Sequence, residues 1–339
     1  MDNASRGGKR PTLADVAALA GVSRALVSLV IRDAPGPSEQ TRQRVLASAA
    51  ELGYRPDPRA QLLARHRSRL LGVVFTAHHP FHADLLEGIY LAAEPAGYDI
   101  ALSALTPSRG EQRAVESLLD YRCEALILLG PEAPESRLAT LARQLPVVVV
   151  ARRVREPSVQ VVRSADEKGV QLAVAHLVEL GHREIAHIDG GRAPGAAERR
   201  RGYRIAMRRH DAAGHTRIIP GGLTEESGAA AARILLETVE PLPSAIVAFN
   251  DRCAVGVLGA FIRAGVTIPA EVSLIGYDDD RLSRLSHVNL TTVGQNVTQM
   301  SQLAVRTAIA RVDGIESGDR EMVVPPHLVI RGTTASPTS

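Results

Sequence analysis

The sequence predicts a small all-helical head followed by two α/β lobes built on parallel sheets. Three observations carry that expectation. Residues 12–32, TLADVAALAGVSRALVSLVIR, read as two short helices meeting at a tight turn. From Leu70 onward, continuous apolar runs alternate with helical stretches, the pattern of strands covered on both faces. Positive charge gathers at one end: Lys and Arg outnumber Asp and Glu 12 to 6 over residues 1–70, against 28 to 31 over the remainder.

In the head, Thr12 is placed to cap the first helix, with Asp15 completing a capping box. Leu13, Val16, Ala17 and Ala20 share one helical face. Gly21 supplies the left-handed residue that ends the helix, and Val22 plugs the angle. Ser23 caps the second helix, whose Val27, Val30 and Ile31 turn inward. Arg24, Ala25 and Ser28 then face out near its start, the position from which a helix-turn-helix reads base edges in the major groove. A third helix starts at Ser38, carries Val45, Leu46, Ala49 and Leu52 as its apolar stripe, and stops at Gly53. Residues 1–11 read as a flexible basic arm, 12–55 as the head, and 56–69 as a linker. Pro56 and Pro58 forbid a helix running straight through, although a short one could start after Pro58. The linker's arginines suit a phosphate surface, and without DNA it is expected to be unstructured.

Strands are expected at 70–76, 98–103, 124–129, 146–151, 185–189, 244–249 and 273–277. Helices fall around 82–96, 111–121, 136–144, 167–180, 199–210, 225–236 and 252–264. In such sheets ligands sit beyond the carboxyl ends of the strands. Those ends carry His78–His82, Arg152, Asp189, Asn250–Asp251 and Asp278–Asp280.

Composition narrows the function classes. The 339 residues, 45% apolar and 23% charged, suit a globular chain of two or three domains. No apolar run is long enough for a membrane span, and the basic N-terminus lacks the apolar segment of a secretory signal. A cytoplasmic location is therefore expected. Cys123 and Cys253 sit in apolar contexts without ligand spacing, so they read as buried hydrophobes. No phosphate loop, nucleophile elbow or His/Cys cluster points to an enzyme, and no metal or cofactor is expected.

At this point the chain resembles the lactose/galactose-repressor (LacI/GalR) family of bacterial regulators. The resemblance runs from Thr12 to Thr333 through TLADVAALAGVSR, SEQTRQRVLASAAELGYRPDPRAQLLA, LLGVVFTAHHPFHADLLEGI, HLVELGHREIAHI, RRRGY, AFNDRCAVGVLGAF, VSLIGYDDD and LTTVGQ. It implies an effector region over 70–334 similar to periplasmic sugar-binding proteins. One lobe would take roughly 70–162 and 293–322, the other roughly 163–292 and 323–334, with 335–339 as a tail. It also implies a homodimer on a pseudo-palindromic operator of double-stranded DNA. Arg24, Ala25 and Leu29 fall on base-contacting positions, where Leu29 replaces a common Arg and Leu26 a usual Thr. With Ser28 they make a reading surface more apolar than most. Ser23 and Thr41, polar residues at helix starts, are expected to touch phosphate, and Thr12 and Tyr54 are expected among the DNA-binding residues. Arg32 is either a further backbone contact or a solvated charge. Ala60 and Leu63 map onto the hinge helix, Leu63 as the apolar wedge in the minor groove.

For the effector, the resemblance points to Phe81, His82, Arg152, Arg199, Asn250, Tyr277 and Asp278 around an interlobe cleft. Asp251 reads as a helix cap. Ala151 and Leu223 depart from family positions that often hold an Asp and an aromatic ring. The expected function is a DNA-binding repressor controlled by a small-molecule effector, a sugar or polyol before others. The alternatives are a solute-binding protein and a constitutive DNA binder with a vestigial cleft.

Overall fold

The computed structural model describes residues 11–54, 67–238, 241–315 and 318–337, and the chain divides into two compact units at the Ser68–Arg69 junction. The arm at 1–10, most of the linker, and with them Ala60 and Leu63, lie outside the described residues.

In the first unit, α1 (Leu13–Ala20), α2 (Arg24–Ile31) and α3 (Glu39–Glu51) enclose a core of Val16, Ala17, Ala20, Val27, Val30, Val45 and Ala49. Local signals set each boundary. Thr12 and Asp15 form the reciprocal capping box, Ser23 caps α2 through the Leu26 amide at 3.2 Å, and Ser38 caps α3 through Thr41 at 3.3 Å. Gly21 has φ +64°, and α1 and α2 cross at 104°, within the range of a helix-turn-helix. One detail differs: Leu46 is 49% exposed, and Ser48 takes the buried place, its hydroxyl satisfied by the Arg44 carbonyl at 3.0 Å.

The second unit is built on two six-stranded sheets. The first half of its chain runs β1 (Leu70–Thr76), α4 (Pro80–Ala93), β2 (Asp99–Leu105), α5 (Glu111–Asp120), β3 (Ala125–Leu129), α6 (Glu135–Ala142), β4 (Val147–Val150) and β5 (Gln160–Ser164). There follow α7 (Asp166–Glu179), β6 (Ile185–Ile188), α8 (Ala196–Arg209), β7 (Arg217–Ile219), α9 (Glu225–Thr238), β8 (Ala245–Val247), α10 (Asp251–Arg263), β9 (Ser273–Asp278) and β10 (Thr291–Gly294). The chain ends with α11 (Val297–Val312), β11 (Glu321–Val324) and β12 (His327–Val329).

Sheet order is β11-β5-β4-β3-β1-β2 in lobe one and β12-β10-β9-β8-β6-β7 in lobe two. Every described pairing is parallel except β10 with β12. The chain thus passes between lobes three times, after Ser164, after Gly294 and after Val324. All seven expected strands are present. The elements not anticipated are short strands (β5, β7, β10, β11, β12) and α11, whose Met300, Ala304, Val305 and Ala308 are buried at helical spacing.

In lobe one, α4 and α11 cover one sheet face with Phe81, Leu85, Ile89, Met300 and Ala304, and α5 and α6 cover the other with Ala114, Leu118, Leu138 and Leu141. In lobe two, α7 and α8 pack through Val174 and Met207, and α9 and α10 through Ala232 and Val257. Both layers place the carboxyl ends of the central strands at one cleft. Cys123 and Cys253 are buried free thiols that burial pushes up to about 12.

Candidate functional site

The head presents an exposed surface at the start of α2. Arg24 and Ala25 are exposed, while Ser28 and Leu29 are half-buried. Ser23 Oγ is engaged by its cap, and Thr41 Oγ1 lies 2.9 Å from Ser38 Oγ. Arg32 is exposed, and its Nε donates to the Ser28 carbonyl at 3.0 Å, which lays the side chain back along α2. Tyr54 packs against the head core.

The cleft is organised around Arg199, a guanidinium buried on α8. Its Nε donates to Asp166 Oδ1 at 2.9 Å and its Nη1 to the Phe249 carbonyl at 2.7 Å, while Nη2 stands 3.6 Å from Asp278 Oδ1. The guanidinium lies between two rings, 3.6 Å from the Tyr277 centroid and 4.7 Å from that of Phe249. Two glycines make room for those rings: a Cβ at Gly169 would meet Tyr277 Oη at 2.5 Å, and one at Gly190 would meet Phe249 at 2.4 Å. Burial alone would lower the guanidinium pKa, but the Asp166 and Asp278 carboxylates outweigh it and hold the cation.

Asp278 ends β9 with φ +115°, a conformation unusual for a residue with a side chain. Burial pushes its carboxyl up to about 7, opposed by Arg199 and reinforced by Asp280, while Gln295 Nε2 donates to its Oδ1 at 2.8 Å. Across the cleft, His82 Nδ1 accepts the Thr76 amide at 3.0 Å, so its Nε2 carries the proton. His79 stacks on it at 4.3 Å. Burial keeps both rings neutral, His79 down to about 4.

These groups enclose a cavity of about 110 Å³ lined from lobe one by Thr76, His79, Phe81 and His82 and from lobe two by Arg199, Phe249, Asn250 and Asp278. Five of the seven expected effector residues therefore meet there. Two do not. Arg152 is absent from the lining because its Nη1 is taken by the Pro131 and Ala133 carbonyls at 2.6 and 2.7 Å, where it ties down the loop after β3. Tyr277 is fully buried behind Arg199 and stiffens that side chain rather than facing the cavity.

Asn250 lines the cavity, but both ends of its amide are used, Oδ1 capping α10 at Cys253 and Nδ2 donating to the Leu223 carbonyl at 3.1 Å. The cap of α10 is thus Asn250 and not Asp251, whose carboxylate accepts the Asp280 amide and the Thr292 hydroxyl. Sequence reasoning missed Asp166 and Gln295. Asp166 lies 33 residues from its partner and looks like any acid in a first helical turn. Gln295 stands in the LTTVGQ block, and its role needs the crossing after β10.

The arrangement offers fixed donors, buried acceptors and aromatic edges. Among the described residues no group of His, Cys, Asp and Glu is placed to hold a metal, and no single helix is long and apolar enough to cross a membrane.

A folded helix-turn-helix head followed by a two-lobed cleft defines a DNA-binding regulator with a small-molecule domain. Comparison with known proteins gives the same class. Residues 12–57 match the bacterial regulatory proteins of the lacI family, and residues 174–334 match the periplasmic binding protein-like domain. The chain is 33% identical to the HTH-type transcriptional regulator GalR of Salmonella typhimurium strain LT2 over 332 residues, 96% of this chain and 97% of the relative. It is 49% identical to a LacI transcriptional regulator from a Rhodococcus species (TM-score 0.77, 79% of this chain and 100% of that one). It also superimposes on the lac repressor dimer bound to operator and the anti-inducer ONPF (TM-score 0.84, 28% identity, 96% of this chain and 100% of that one). The chain belongs to the LacI family of bacterial transcription regulators, and the relatives it matches are regulators, not enzymes.

Proposed function

We propose that the chain is a repressor that binds a pseudo-palindromic operator as a homodimer in the cytoplasm, with operator affinity set by a small, neutral, polyhydroxylated ligand in the interlobe cleft. Arg24, Ala25, Ser28 and Leu29 read base edges. Thr12, Ser23, Arg32, Thr41 and Tyr54 position the head on the phosphates, and Ala60 and Leu63 act at the minor groove. Phe81, His82, Arg199, Asn250 and Asp278 form the ligand end, with Arg152 and Tyr277 supporting it from behind.

The observation that carries the ligand reading is the buried Arg199–Asp278 pair at the joint of two lobes connected by three chain crossings. A sugar offers adjacent hydroxyls that donate to a carboxylate and accept from a guanidinium. Two-sided contact makes the affinity depend on lobe separation, which is the differential interaction that coupling to the head requires.

The test is selection of bound duplexes from a random pool, followed by titration of the selected operator with a panel of neutral sugars. The expected result is a preferred palindrome whose affinity shifts about 5- to 150-fold with one ligand. No sequence preference overturns the DNA reading. A preference that no ligand shifts favours constitutive binding with a vestigial cleft.

A further inference from the structure

The 110 Å³ cavity is not the only space at the cleft. A groove of about 1190 Å³ runs along lobe one between α5 and α6 and opens onto the cleft mouth at His78 and Arg252. The two spaces adjoin: Thr76, His79, Glu132 and Leu223 line both. The inner space is smaller than the roughly 300–1,000 Å³ of an ordinary small-molecule site, and the groove is at least as large as one.

The two ends differ in chemistry. The inner end holds Arg199, Asp278, His82 and Asn250. The groove is lined by Leu105, Pro107, Val115, Leu119, Leu138 and Leu141. Its charged groups largely serve the fold. Arg109 Nη1 donates to Ser103 Oγ and the Ala104 carbonyl, and its Nη2 to Ser117 Oγ, each at 2.8 Å. Glu111 Oε2 accepts the amides of Glu132 and Ala133 at 2.8 and 3.1 Å. Three arginines and four glutamates contribute to the lining, so it holds no strong field for an ionic ligand. Leu223 stands where the two linings meet.

We infer that the groove is the second compartment of one ligand site, and that the site takes a neutral glycoside whose sugar ring occupies the inner cavity while an apolar aglycone lies along α5 and α6. This rests on the polyhydroxylated-ligand reading above and narrows it from a free sugar to an amphipathic one.

The test compares methyl and hexyl glycosides of D-glucose, D-galactose and D-mannose, below their micellar range, by calorimetry on the intact protein. For at least one sugar, the hexyl glycoside binds ten-fold or more tighter than the methyl, and the methyl glycoside displaces it. Val115→Trp, filling the groove, removes that gain and leaves methyl-glycoside affinity within two-fold, which also shows that the variant is folded. A hexyl glycoside that binds no tighter than its methyl partner, or whose advantage survives Val115→Trp, overturns this inference and leaves the sugar reading standing. A hexyl glycoside that methyl glycoside cannot displace marks the groove as a separate apolar site and overturns it. A Val115→Trp effect on self-association in the ultracentrifuge, with ligand affinities unchanged, assigns the groove to a second copy of the chain and overturns it too. If no methyl glycoside binds in any series, the polyhydroxylated-ligand reading falls and takes the inference with it.

Discussion

Arg252 ties lobe two to lobe one: its Nη1 donates to the His78 carbonyl at 2.7 Å, while its Nε and Nη2 fork onto the Glu225 carboxylate. Glu225 fixes the direction of the guanidinium, so the reach across the cleft is pre-aimed. On a partly exposed rim this tie is worth about 1 kcal/mol, roughly a five-fold bias toward the closer arrangement of the lobes. Arg252→Gln shifts the ligand-free protein toward separated lobes by that factor. Distances between spin labels on Arg113→Cys and Arg233→Cys would show it; both sites are exposed, and the native cysteines are buried. An unchanged distance distribution would mean that the tie does not set the lobe equilibrium.

Arg199 is the residue on which the cleft most depends for stability. Removing it leaves Asp166 and Asp278 buried without their cation. Breaking a buried pair costs about 3–5 kcal/mol. Arg199→Met therefore lowers the urea midpoint sharply at neutral pH. Arg199→Lys recovers only part, because a single ammonium cannot reach Asp166, Asp278 and the Phe249 carbonyl together.

Two glycines fix the α9–α10 contact in reciprocal fashion. A Cβ at Gly228 would sit 2.0 Å from the Cys253 carbonyl oxygen, and one at Gly256 would sit 1.9 Å from that of Glu225. The obstacle is backbone in both cases and cannot rotate away. Overpacking of this kind costs about 1–3 kcal/mol or more. Gly256→Ala falls at the upper end of that range in denaturant unfolding, whereas Gly259→Ala, which would meet only the tip of Arg263 at 3.5 Å, is close to neutral.

Local chemistry is what the sequence made legible. The caps at Thr12, Ser23 and Ser38 each depend on residues within three positions, and all are formed. The long apolar strands are legible for the same reason. The short strands β7 and β12, three residues each, carry too little pattern to stand out from their loops. At the cleft, resemblance located Arg199 and Asp278, but what surrounds them is set by distant chain segments. Arg152 has the place of a ligand donor at a strand end, but it is held by carbonyls 19 and 21 residues away, which nothing local in the sequence shows. Tyr277 follows the alternation of a strand buried on both faces, and nothing local says which face meets the cavity.

Two buried groups give stability opposite slopes with pH. His187 donates Nδ1–H to the Val247 carbonyl at 2.9 Å, and burial lowers its pKa from 6.5 to about 4. Between those values the unfolded chain takes a proton that the folded one refuses, so this contribution is lost as pH falls. Asp278 runs the other way. Its folded carboxyl titrates at about 7 against 3.8 unfolded, so the stability it supplies is full at the acid end and is lost as pH rises through 7. Compared with the native protein, His187→Leu gains stability as pH drops from 7 to 5, and Asp278→Asn gains as pH climbs from 5 to 8. Urea midpoints over that range check both; parallel slopes in the two variants would refute the assignment.

The head separates stability from specificity at neighbouring positions. Thr12 acts on α1 through its cap, with the Asp15 carboxylate accepting the Thr12 amide at 2.7 Å. Thr12→Ala costs the head about 1 kcal/mol of folding stability. Through that loss, and in its proposed role on the phosphates, it weakens operator and non-operator DNA alike. Arg24 is exposed at the first position of α2 and makes no such cap. If it reads a guanine, Arg24→Ala costs about 1–3 kcal/mol on the selected operator and relaxes preference at one base pair in each half-site, while thermal stability stays put. Fluorescence anisotropy on the operator and its single-base variants, repeated at two salt concentrations, distinguishes the two. Uniform weakening in Arg24→Ala, with the salt slope reduced by about one, would move Arg24 from the bases to the phosphates.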